Sequence, residues 1–153
     1  MWKNPKPLVQ VLPSNTLVSL VDAVPPSGVV AVAHLDGAAM VDADGVFEQL
    51  SDALRFPSYF GWNWPALSEC LRDLNWLPAD WYLIVIENAP RVLEKSAEER
   101  AVLFGVLARA GRHWATSYEA QDSGRSPSLR TILLCDERDA ESLEQEVAAA
   151  LGS

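Results

Sequence analysis

The chain is 153 residues long with 49% hydrophobic residues, enough for one domain with a core of its own, and a formal charge of −9 with a pI near 4.6. That charge disfavours direct binding of nucleic acid through its phosphates, and the amino-terminal segment has no signal-like apolar run, nor does any stretch approach a membrane span. The composition therefore predicts a soluble cytoplasmic protein whose two cysteines, Cys70 and Cys135, are small core residues rather than a disulfide, and whose two histidines are too few for a metal cluster.

Residues 1–27 hold five of the ten prolines and read as a partly irregular arm. Within it Leu17, Leu20, Val21 and Val24 fall at helical spacing, with Pro25-Pro26 as a stop. The remainder, 28–153, reads as one domain. Val29 to Ala33 is a short apolar run between Gly28 and Asp36-Gly37, the signal of a buried strand. A first helix follows, capped by Asp42 or Asp44, with Val46, Phe47, Leu50, Ala53 and Leu54 on one stripe and Pro57 beyond its end. Asp42-Ala43-Asp44-Gly45 also resembles part of a calcium loop, but the later ligands are missing, so a capping turn is the expected role.

Ser58-Tyr59-Phe60-Gly61-Trp62 is an aromatic loop, and Asn63 is the natural cap of a second helix with Pro65 in its first turn. Leu67, Leu71 and Leu74 point inward on that helix; Pro65, Ser68, Glu69, Arg72 and Asp73 fall on the opposite side. Trp81 to Ile86 predicts a second buried strand. Ser96-Ala97-Glu98-Glu99 is a capping box opening a long third helix with Val102, Leu103, Val106, Leu107 and Ala110 inside. A polar loop over 116–128 precedes a third strand, 129–135, and a final helix covers about 138–151 with Leu143, Val147 and Leu151 on one side. Three apolar strands alternating with helices predict an α/β fold with a small three-stranded parallel sheet packed with helices, flanked by the arm and an extra C-terminal helix.

Phosphate loops, dinucleotide fingerprints, nucleophile elbows and zinc-protease motifs are absent from the sequence. His34 and His113 have no placeable carboxylate or nucleophile partner, so both read as structural, and neither an enzyme nor a cofactor is expected. Chemistry concentrates instead at 56–78. Four of the six tryptophans, Trp62, Trp64, Trp76 and Trp81, lie in or beside this stretch, and residues 36–89 carry nine acids against two bases. Tyr59 and Trp62 flank a loop glycine and are expected at the surface; Trp64, Trp76 and Trp81 suit core or interface equally. Tryptophan and tyrosine anchors beside carboxylates are the chemistry of a surface that selects a basic protein partner.

The order Pro57-x-Tyr59-Phe60-Gly61-x-Asn63-x-x-Ala66-Leu67-x-Glu69-Cys70-Leu71 resembles the signature of the barstar family, intracellular inhibitors of ribonucleases, and the likeness extends over about 29–135. The resemblance implies that loop and second helix plug the basic active site of a cationic ribonuclease or related nuclease toxin, with carboxylates standing in for substrate phosphates. Tyr59, Gly61 and Asn63 match the family's binding loop, and Glu69 matches a position where its prototype has a key acid. With Trp62, Trp64, Ser68 and Asp73 these make up the expected partner-binding residues. Pro65, Ser68 and Arg109 depart from the pattern, replacing an acid, a tryptophan and a glutamate, which implies a different cognate nuclease or toxin. The rival reading is a barstar-like adaptor that binds a protein other than a nuclease. Neither reading involves nucleic acid or a membrane directly.

Overall fold

A computed structural model describes residues 9–14, 28–116 and 128–151. The chain forms a mixed α/β fold in the order β1 (Val9–Pro13), β2 (Val30–Asp36), α1 (Ala43–Leu54), α2 (Trp64–Asp73), β3 (Trp81–Glu87), α3 (Ala97–Ala115), β4 (Ser128–Cys135) and α4 (Glu137–Leu151), with short 3-10 turns at Gly37–Ala39 and Ala89–Arg91. Among the described residues no helix is long and apolar enough to cross a membrane.

The sheet has four strands where three were expected, in the order β1-β4-β3-β2, and every neighbouring pair is parallel. The additional strand comes from the proline-rich arm: Val9 pairs with Thr131 and Pro13 with Cys135, and Ser14 N donates to Cys135 O at 2.7 Å. Proline is acceptable there because β1 is an edge strand, whose outer ladder needs no donor. The helix expected near Leu17 to Val24 and the polar loop at 117–127 lie outside the described residues.

Alternation along the strands divides the sheet into two faces. One presents Leu35, Ile84, Ile86 and Leu133 to a single core, completed by Leu50 and Leu54 of α1, Leu67 and Leu71 of α2, Leu103, Phe104 and Leu107 of α3, and Leu143 and Val147 of α4. The other carries a smaller cluster of Leu83, Val85, Ile132 and Leu134 with Leu12 against it.

The predicted caps are in place. Asp42 accepts from Gly45 N at 3.0 Å, Asn63 from Ala66 N at 2.8 Å and Ser96 from Glu99 N at 3.2 Å, each answering one of the orphan donors of a helix N-terminus. Helices α1 and α2 both end on a left-handed residue, Arg55 and Leu74, in the position glycine usually takes. Leu74 is fully buried, so its core side chain outweighs the backbone preference.

Candidate functional site

The loop between α1 and α2 is built on an aromatic stack. Phe47 of α1 stands edge-on to Phe60, Trp62 and Trp64, with ring centroids 6.0, 6.1 and 5.0 Å away. Phe56 continues the cluster to Phe60 and to Trp76. Such edge-to-face contacts hold a loop by burial and quadrupole alignment rather than by backbone hydrogen bonding.

Polar ties complete the loop. Asn63 caps α2 with its oxygen and donates its amide Nδ2 to Gly61 O at 3.0 Å, so one side chain closes the loop and opens the helix. Trp62 Nε1 donates to Asp44 Oδ1 at 3.1 Å, anchoring the loop to the first turn of α1. Trp62, and not Gly61, adopts the left-handed backbone, with φ 57°. Gly61 is instead small for a packing reason: a Cβ there would stand 3.2 Å from Asn63 Nδ2 and 3.4 Å from Ala66 Cβ.

The expected surface residues are where the sequence puts them: Tyr59 is 71% exposed and Trp62 46%. Trp64 and Trp76 are half-buried against the core, and Trp76 Nε1 donates to Leu54 O at 3.0 Å. These two indoles are scaffold on at least one side.

Helix α2 presents two different neighbourhoods. Tyr59, Gly61, Glu69 and Asp73 line one shallow depression of about 110 Å³, floored by Phe60, Cys70 and Trp76. Glu69 and Asp73 are exposed, and among the described residues neither has an ion-pair partner. Burial pushes the Cys70 thiol up from its ordinary value, and the carboxylates of Asp73 and Glu69 push it further. Its thiolate is therefore disfavoured, as suits a buried side chain packed under the helix. Cys135 is likewise buried, and both cysteines are free.

Ser68, another expected site residue, does not join that depression. It lines a second cavity of about 390 Å³ between α2 and α3, with Arg72, Arg109, Arg112, His113 and Thr116. Sequence reasoning placed Arg72 on the outer face and marked Arg109 as a departure, but did not bring them together with Arg112 and His113. The one available signal was the spacing of Arg109 and Arg112 on one helix face; their meeting with α2 is tertiary.

His34 is exposed on β2, with Nε2 2.8 Å from Glu87 Oε2 on the neighbouring strand. Among the described residues no group of three or more His, Cys, Asp or Glu side chains could hold a metal ion. Taken together, the geometry offers a partly aromatic, carboxylate-bearing knob held by ring contacts and side-chain hydrogen bonds. A family model described as Barstar (barnase inhibitor) matches residues 30–132, more than half of the chain. No curated protein matches it.

Proposed function

The chain belongs to the barstar family, and from that premise we propose that it is an intracellular, cytoplasmic inhibitor of a cationic ribonuclease or related nuclease toxin, an immunity protein without catalytic activity. The observation that carries this reading is the pair of exposed carboxylates, Glu69 and Asp73, that share one depression with Tyr59 and have no partner of their own among the described residues. An unpaired carboxylate pair on a pre-ordered surface meets a basic cleft with little reorganisation, and it excludes substrate RNA by occupying the same positive charges.

The two halves of the site have different tasks. Asn63, Trp62 and the Phe47 stack fix the loop, while Tyr59, Glu69 and Asp73 make contact. Trp64 contributes through the loop's shape, being half-buried against Phe47.

The test is inhibition of RNA cleavage by a panel of basic secreted ribonucleases, with complex formation measured in parallel. Glu69→Arg should weaken the productive complex about 30-fold or more, the loss expected of a central anchor. Unchanged affinity at low salt would exclude this face. The adaptor reading is favoured by Pro65, Ser68 and Arg109, which stand where the family pattern has an acid, a tryptophan and a glutamate. It predicts a stable complex with a protein partner whose activity on RNA is nil or unaffected.

A further inference from the structure

The cavity between α2 and α3 is the most concentrated positive charge among the described residues of an acidic chain. Three of its twelve Lys and Arg residues line it, with His113 beside them. Arg109 and Arg112 are three apart on α3 and so share a face; Arg72 comes from the last turn of α2. Arg72 Nε donates to Ser68 O at 3.2 Å, which sets its stem along α2. Arg109 lies back along its own helix, where a Cβ on Gly105 would stand 3.1 Å from Nη1. Among the described residues none of the three guanidinium groups makes an ion pair. Like charges at helical spacing repel, so the cluster costs stability unless an anion enters.

We propose that this cavity is a receptor for one acidic side chain of the protein partner that docks on α2. The inference rests on the reading that residues 59–73 form the docking face. Three observations choose the occupant. Ser68 and Arg72, which line the cavity, each precede by one position Glu69 and Asp73, which line the depression, so a protein covering one necessarily borders the other. Planar guanidinium forks match a carboxylate in paired hydrogen bonds. A polyanion such as RNA is opposed by the net charge of −9 and by Glu69 and Asp73 immediately alongside. The face is therefore bipolar: it accepts a partner whose basic cleft is bordered by an acid, and it repels one whose cleft is bordered by another base.

The experiment is a titration of the full chain followed through the arginine Nε–Hε resonances of Arg109 and Arg112 at constant ionic strength. The probes are an acetylated glycine–glutamate–glycine amide tripeptide, its glutamine counterpart, inorganic phosphate and hexauridylate. The glutamate tripeptide should shift both resonances saturably and its glutamine counterpart should not. Arg112→Gln, at an exposed position that leaves the helix core intact, should weaken binding about tenfold, the size of one charge-assisted hydrogen bond. Tighter binding of hexauridylate or phosphate than of the glutamate tripeptide would overturn the assignment to a protein carboxylate, as would silence of every probe. The titration contains no nuclease, so the two proposals fail separately. A silent cavity with intact inhibition of RNA cleavage sinks this one alone, and tripeptide binding without inhibition sinks the nuclease reading alone.

Discussion

Asp36 ends β2 with its carboxylate held by two donors: Asn88 Nδ2 at 2.9 Å and Ala38 N at 3.0 Å. The Asn88 hydrogen bond, then that of Ala38, holds its pKa below the ordinary 3.8, with Arg91 adding to the same effect. A carboxylate lowered on folding contributes stability that is complete above its unfolded pKa and is lost as pH falls through the lower, folded value. Asn88→Gly should therefore raise the Asp36 pKa toward 3.8, read from the carboxyl carbon resonance, and lower stability at neutral pH while flattening its fall in acid, read by denaturant titration. Glycine is the right replacement because Asn88 has φ 51°. At this same scale side-chain exposure is legible in the sequence and backbone conformation is less so. Exposure of Tyr59 and Trp62 follows from their place in a loop, but which loop residue turns left-handed depends on Trp62 reaching Asp44 across the α1 terminus.

Helix α2 depends on Asn63 more than its sequence position alone reveals, since the side chain also ties down Gly61 O. Asn63→Ala should cost about 1 kcal/mol in urea denaturation, whereas Asn63→Asp should retain most of the cap. Weakened binding in a variant that is still folded would then measure the tie to Gly61. On α3, Gly105 is a buried helix-interior glycine, and the nearest atoms to a Cβ built there belong to the far end of the Arg109 side chain. Gly105→Ala should accordingly stabilise the fold by about 0.5–1 kcal/mol in thermal unfolding, because the guanidinium swings aside. Caps, stripes and stops are local patterns and were legible. Strand β1 was not: Val9-Gln10-Val11-Leu12-Pro13 is short and proline-bounded, and its burial of Val9 and Val11 exists only once β4 and α4 are beside it.

At the scale of the molecule, Arg100 is the polar joint of the helical layer. Its side chain is 9% exposed; Nε and Nη2 donate to the two oxygens of Glu146 on α4 at 2.6 and 2.7 Å, and Nη1 donates to Pro90 O and Val92 O. One guanidinium thus links α3, α4 and the turn after β3. Glu146→Gln keeps one acceptor oxygen for Arg100 but removes the countercharge and sets an N–H donor against the guanidinium, so it should destabilise the protein by about 2 kcal/mol in denaturant titration. Carboxylates dominate the charge total, yet their placement gives two distinct surfaces: an acidic, aromatic one at Glu69 and Asp73, and a basic one at Arg72, Arg109 and Arg112. A net charge of −9 describes neither.

Sequence by itself determined the parallel α/β class, the capped helices, the aromatic loop and the family, because periodicity, capping and a motif in one register are properties of neighbouring residues. Tertiary structure alone decided that β1 closes the sheet edge, that Trp76 and Trp114 direct their indole N–H groups to Leu54 O and Leu71 O, and that α3 brings two arginines to a third on α2. The physical reason is that pairing and juxtaposition across many residues depend on how helices pack over the sheet, which no short stretch of chain encodes.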